Sequence, residues 1–243
     1  MAVVQAGRAG LFVTATDTGA GKTAVGSALA GCLALRGCTV RVRKPIESGC
    51  MPHPRDALTL QQAAGHLEPL THICPWPLAH PIAPERAAQL AGTHLTLTDL
   101  TSACHAHVEA GDFLLVEGAG GFLSPLAPGV RNAELAVALG LPVLLVVHDR
   151  LGCLNHALLT AEAITIRGLQ IAAVVLNRCG SAPVPEMDNA SDLTRWLGQV
   201  VYCLPELPLH DQPIDAHLSA HLSAQLGARL PQQLIADLHI NIT

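Results

Sequence analysis

The sequence is short of lysine. Of its 243 residues 14 are lysine or arginine, yet only Lys22 and Lys44 are lysine. Where arginine serves as the general cation, the two lysines mark places that call for a compact ammonium rather than a planar guanidinium. Aromatic residues are scarce too, at 2% of the chain. Two tryptophans, Trp76 and Trp196, are too few for a platform that stacks bases. A net charge of -5 argues against a nucleic-acid or anionic-membrane surface. No apolar run approaches the roughly 18 residues that cross a bilayer. The longest candidate, residues 139–147, is interrupted by Gly140 and Pro142. The first residues show no charged segment followed by an apolar stretch and a cleavage site, so a cytoplasmic protein is expected. None of the eight cysteines forms a C-x-x-C pair, and they read as small buried hydrophobes in a reducing compartment. The thirteen histidines, His105 and His107 included, have no acidic or cysteine partner at metal-ligand spacing and are expected on the surface. Also missing are a G-x-S-x-G hydrolase element, a G-x-G-x-x-G dinucleotide fingerprint, an internal repeat and any low-complexity block.

What remains is an alternation of short apolar runs with longer helical stretches. The runs at residues 10–14, 39–43, 113–116, 142–147, 171–176 and 200–204 read as strands. Helices are expected at residues 22–35, 56–64, 97–109, 131–139 and 155–167, and a proline-rich loop at 72–84. The strands are continuously apolar rather than alternating, which indicates a parallel sheet covered on both faces. The expected fold is therefore α/β, a doubly wound, mostly parallel sheet in a single domain over residues 1–243. The length suits one domain, and a chain of this size buries roughly 70% of its unfolded surface. In such folds ligands bind at the carboxyl ends of the strands.

The chemically suggestive residues sit at those ends. Residues 15–23, Ala-Thr-Asp-Thr-Gly-Ala-Gly-Lys-Thr, stand between a buried strand and a helix, where a phosphate loop belongs. Loop N–H groups and the helix N-terminus face an anion, Lys22 can reach the β- and γ-phosphates, and Thr23 can bind Mg²⁺. The ordinary pattern would have glycine at position 16, where Thr16 stands. The strand at 113–116 runs into Glu117 and a glycine-rich turn, so Glu117 resembles a Walker-B carboxylate aimed at Mg²⁺. Lys44 ends the second strand and points at the same crevice, where a second lysine can neutralise transferring charge. Asp56 begins a helix and either binds Mg²⁺ or caps that helix. Leu151-Gly152-Cys153-Leu154-Asn155-His156 precedes another helix, whose N-terminus either favours a carboxylate by roughly 0.3–1 kcal/mol or is simply capped by Asn155.

Five pieces in this order resemble the dethiobiotin synthetases, the ATP-dependent ligases of biotin synthesis. They are T-D-T-x-x-G-K-T (residues 16–23), K-P-I-E-S-G (44–49), D-A-L-x-L-Q (56–61), V-E-G-A-G-G (116–121) and L-G-C-L-N-H-A-L-L-T-A (151–161). The resemblance spans residues 11–208 and leaves 209–243 unmatched. It implies a P-loop NTPase-like fold and a homodimer with its substrate site at the interface. The implied reaction combines 7,8-diaminononanoate, CO₂ (or bicarbonate) and ATP into dethiobiotin, ADP and phosphate, through an N7-carbamate and a carbamic–phosphoric mixed anhydride. It makes Lys44 and Lys22 the catalytic cations. Thr23, Asp56 and Glu117 become the Mg²⁺ ligands. Nucleotide contacts fall on Thr18, Gly19, Ala20, Gly21, Lys22, Thr23 and Ala24, on Asp56, on Glu117, Gly118, Ala119 and Gly120, and on Asn177, Pro205, Glu206 and Leu207. Ser48 contacts the diamine. Gly152, Cys153, Leu154 and Asn155 take its carboxylate from the partner subunit. The chain departs from the family at Ala15, usually glycine, and at His148-Asp149-Arg150. Two rivals fit less well. An amidoligase of the cobyrinate type would carry a long glutaminase domain, and a partitioning switch of the deviant-Walker class would carry a signature lysine where Asp17 stands.

Overall fold

A computed structural model describes residues 9–178, 184 and 186–204 of the chain. The continuously apolar runs become adjacent strands because each buries both faces. They are β1 (Gly10–Ala15), β2 (Val40–Arg43), β5 (Phe113–Glu117), β8 (Val143–His148), β9 (Ile171–Asn177) and β10 (Val201–Leu204). Together they form a six-stranded sheet in the order β10-β9-β8-β1-β5-β2, and every pairing is parallel. Along β5 the side chains divide by turns. Phe113 and Leu115 join the core on one face, with Val25 and Leu29 of α1 (Lys22–Leu35). Leu114 and Val116 join the core on the other, with Leu135 of α6 (Asn132–Leu139) and Ala157 of α7 (Cys153–Thr165). This is the two-sided burial that a parallel sheet requires. No helix among the described residues is long and apolar enough to cross a membrane.

The chain leaves β1 through α1 and reaches the edge strand β2, while β5 is inserted between them and β8 lies on β1's other side. The strand order thus reverses around β1, and the crevice of a doubly wound sheet opens at such a point. The first α-helix is rich in alanine and glycine and mostly buried, which lets it lie close between β1 and α2 (Arg55–Ala63).

Several expectations need correction. Residues 72–84 are not a bare loop: α3 (Leu70–Ile73) enters the segment, β4 (Trp76–Leu78) pairs in parallel with β3 (Ile46–Ser48), and α4 (Pro84–Leu90) starts at its end. The prolines mislead because Pro77 lies in a two-stranded ribbon, where a missing N–H costs little, and Pro84 is the first residue of its helix, where proline is favoured. The helix expected to reach residue 109 is α5 (Leu97–His105), and left-handed His107 lies just beyond its end. Asn155 does not cap its helix. Gly152 does, in the left-handed conformation, so Asn155 falls inside the first turn of α7. Nor does Asp56 cap α2, whose N-cap is Pro54. Besides β3, β4, α3 and α4, the ribbon of β6 (Pro125–Ala127) with β7 (Val130–Arg131), and α8 (Asn189–Leu197), capped by Asp188, had no counterpart in the sequence reading.

Candidate active site

The loop between β1 and α1 is shaped by two left-handed glycines, Gly19 and Gly21, the latter serving as the N-cap of α1. Ala15, one of the departures from the family, is the last residue of β1 and buries its methyl in the core. The loop is braced from several sides. Asn177, at the end of β9, donates from Nδ2 to the Ala20 carbonyl at 2.9 Å. Arg150 reaches Asp17 at 3.4 Å from the β8–α7 connection. Its neighbour Asp149 accepts from Asn189 Nδ2 at 2.7 Å and pairs with Arg178 at 3.5 Å, so the unusual His-Asp-Arg segment fastens the phosphate loop to the β9 end of the sheet.

Lys22 is the first residue of α1, and its Nζ donates to the Asp17 carbonyl at 3.3 Å. Burial, then the nearby charge of Lys44, lowers its pKa to about 8. Such an ammonium gains from an anion that offsets both causes.

Lys44 follows β2 and is buried. It donates to Glu117 Oε1 at 2.6 Å and to the Gly118 carbonyl at 3.2 Å, and pairs with Asp56 Oδ2 at 3.0 Å. Three partners match an ammonium's three donors. Burial alone would lower the Lys44 pKa, but Glu117 and then Asp56 outweigh it and push it up, so the ammonium keeps its charge. Asp56 is lifted by burial but pulled down overall by Lys44. Glu117 is pushed up by burial, with Lys44 opposing. Thr23 Oγ1 also donates to Glu117 Oε1, at 2.8 Å.

Glu117 Oε2 is buried without a hydrogen-bond partner. An orphaned carboxylate oxygen is costly unless something satisfies it. The Thr23 hydroxyl lies on the other oxygen of Glu117, and across Lys44 stands the Asp56 carboxylate, whose side chain is 42% exposed. This is an oxygen-only donor set, the kind that suits a hard divalent cation keeping several waters. No cluster of three or more histidine, cysteine or acidic residues that could hold a metal occurs among the described residues.

The turn after β5 is held by Asn132, the first residue of α6. Its Oδ1 accepts from Ala119 N at 3.1 Å, and its Nδ2 donates to the carbonyls of Ala119 at 2.7 Å and Gly121 at 2.8 Å. Asn132 lies so close that a Cβ on Gly118 would fall 2.5 Å from its Oδ1, so only glycine fits there.

These elements enclose a cavity of about 820 Å³, of the size that takes small-molecule ligands. Of the residues singled out in the sequence, Thr18, Gly19, Gly21, Lys22, Thr23, Ala24, Lys44, Ser48, Asp56, Ala119 and Gly120 line it. Ala20, Glu117, Gly118 and Asn177 lie behind its wall as buried supports. Gly152, Cys153, Leu154 and Asn155 do not line it, and Pro205, Glu206 and Leu207 lie outside the described residues. The sequence reading missed the apolar wall at residues 81–84 and the roles of Asn132, Arg150 and Glu47. Arg150 carried a signal as part of the His148-Asp149-Arg150 departure, and so did Glu47, which lies inside the K-P-I-E-S-G piece. Its Oε1 accepts from Asp56 N at 3.1 Å and its Oε2 from Ala57 N at 3.0 Å.

A family model described as an AAA domain matches residues 9–213. The chain is 44% identical over 188 residues to the ATP-dependent dethiobiotin synthetase BioD of Anaeromyxobacter dehalogenans, covering 76% of this chain and 84% of that protein. It is 41% identical over 206 residues to the enzyme of the same name from Ralstonia nicotianae, covering 82% and 90%. Among solved structures it is similar to a ParA family ATPase from Chlorobium tepidum, with a TM-score of 0.55 and 13% identity over 94% of this chain and 99% of the other. A similar match is the septum site-determining protein MinD from Pyrococcus horikoshii, with a TM-score of 0.55 and 14% identity over 95% and 99%. At such identities the likeness shows the α/β, P-loop NTPase-like fold alone.

Proposed function

The chain belongs to the dethiobiotin synthetase family and is an ATP-dependent ligase, and from that premise we propose the chemistry of its site. CO₂ adds to the neutral N7 amine of 7,8-diaminononanoate to give a carbamate. A carbamate oxygen attacks the γ-phosphorus of ATP, ADP leaves, and a carbamic–phosphoric mixed anhydride forms. The N8 amine then attacks the carbamoyl carbon, phosphate leaves, and the cyclic urea closes. Each step needs positioning and neutralised charge rather than a covalent enzyme nucleophile.

The observation that carries this reading is the placement of Lys44. Its ammonium lies between Glu117 and Asp56 on the wall of a cavity that the phosphate loop shares. There it faces the carbamate and the transferring phosphoryl group, where a fixed, desolvated cation counts most. Lys22 and the loop N–H groups hold the phosphates. Thr23, Asp56 and Glu117 would hold Mg²⁺, which would supply positive charge against that of the phosphates. Ser48 contacts the diamine. The substrate carboxylate sits at residues 152–155 of the partner subunit in a homodimer, which suits a segment that does not line its own chain's cavity. Adenine lies towards Asn177 and residues 205–207.

The test is ADP release by purified protein with ATP, Mg²⁺ and bicarbonate, with and without the diamine. The reading expects release that depends on the diamine, with dethiobiotin formed in step. Diamine-independent release, or none at all, overturns it.

A further inference from the structure

A helix that carries a site residue needs its first N–H groups satisfied, or its end frays and the site loosens with it. For α2 the usual device is absent. Its N-cap is Pro54, which gives no side-chain cap, and Asp56 is turned away towards Lys44. The cap comes from another element. Glu47, in the middle of β3 and 6% exposed, places one carboxylate oxygen on Asp56 N at 3.1 Å and the other on Ala57 N at 3.0 Å. Both oxygens of one carboxylate thus hold two consecutive amides at the positive end of α2, where an anion is favoured.

The strand that carries Glu47 is itself pinned. Ile46 and Ser48 pair with Trp76 and Leu78 of β4, and the Cys50 thiol donates to the Glu47 carbonyl at 3.1 Å. Position passes from β3 through Glu47 to the start of α2, and from there to the Asp56 carboxylate on Lys44. A neutral side chain of the same size could not reproduce this. A glutamine amide offers one acceptor, and its NH₂ would confront the second backbone N–H.

We propose that Glu47 is a positioning residue of this site, which fixes the first turn of α2 so that the Asp56 carboxylate is aimed at the divalent cation. Glu47 also lines the cavity, and in this role it acts through α2. The proposal rests on the ligase reading for the identity of the cation site, and its test is kept separate from that reading.

The experiment measures Mn²⁺ binding to the ADP-saturated protein by the electron paramagnetic resonance of free Mn²⁺. Glu47→Gln is expected to weaken Mn²⁺ roughly 10–100-fold, the usual cost of losing an outer support of a metal ligand. Its ADP affinity without metal should stay near the wild-type value. In an Asp56→Asn background the same change should cost little more, because the residue it acts through is already gone. Mn²⁺ affinity within about twofold of wild type in Glu47→Gln, or an equal loss in both backgrounds, overturns the proposal. So does a wild-type protein that binds no Mn²⁺ with ADP. If Glu47→Gln does not fold, hydrogen exchange in the wild type decides: protected amides at Asp56 and Ala57 support the cap, and unprotected ones overturn it. A protein that binds Mn²⁺ as expected but shows no diamine-dependent ADP release would sink the ligase reading and leave the role of Glu47 standing.

Discussion

Arg43 and Lys44 are neighbours in the sequence, both are cations and both are buried, yet they serve different ends. Successive residues of an extended chain point to opposite sides, so one turns towards the packed flank of β2 and the other towards the crevice. Arg43 is held by the protein itself through its two terminal nitrogens, with Nε left without a partner. Its two terminal nitrogens take both oxygens of Glu68 at 2.6 and 2.9 Å and the carbonyls of Val42 at 2.7 Å and Ala106 at 2.6 Å. Arg41 adds a second layer, pairing with Asp112 at 2.8 Å. Lys44 instead holds two carboxylates that have more to give: Glu117 keeps an unpartnered oxygen, and Asp56 opens onto the cavity. A planar fork locks two flat partners together, whereas a point charge on a flexible stem can be shared with an arriving anion. A buried cation whose carboxylate partner is fully engaged belongs to the architecture, and one that lines a cavity beside a carboxylate open to it belongs to the chemistry.

That contrast can be broken by substitution. Arg43→Met should show the largest effect, a loss of about 3–5 kcal/mol in unfolding free energy by urea titration, because Glu68 loses both of its short hydrogen bonds and keeps only Arg41 at 3.8 Å. Turnover of the folded fraction should stay close to wild type, and a collapse of turnover with stability intact would erase the distinction. Lys22→Ala should weaken ATP roughly 10–100-fold by calorimetry, the worth of about 1.5–3 kcal/mol for a charged hydrogen bond to phosphate. Unchanged affinity would remove Lys22 from the phosphate site. The smallest effect belongs to a pair far from this contrast. Arg131 donates to Glu134 at 2.6 and 2.9 Å, and this holds the Glu134 carboxyl down at about 2, below its ordinary 4.5. Because the folded value is the lower one, the pair's stabilisation is complete above about pH 4.5 and is lost as pH falls through about 2. Urea titrations of wild type and Glu134→Gln should therefore differ at about pH 6 and converge towards pH 2. A constant gap would contradict the assignment.

The main sheet was legible because burial on both faces leaves an unbroken apolar run that only a covered parallel strand explains. All six of its strands were foreseen, and only their ends moved, by one residue at most. The phosphate loop, Lys44, Asp56 and Glu117 were legible because their motifs sit at strand or helix ends. The small ribbons were not: β3, β4, β6 and β7 are two or three residues long and carry too little periodicity to read. Asn132, Arg150 and the cap formed by Glu47 were hidden for a different reason. Each acts on a segment 9 to 133 residues away, and spacing along the chain cannot show such a contact.

The measurement that bears most directly on the central claim is the pairing of steady-state turnover with ATP affinity in Lys44→Arg. The substitution keeps the positive charge but replaces three tetrahedral donors by a planar fork. The account predicts that turnover falls by about 100-fold or more, while ATP affinity stays within a few-fold of wild type. Turnover like that of wild type would show that any cation serves at position 44, and would contradict the account.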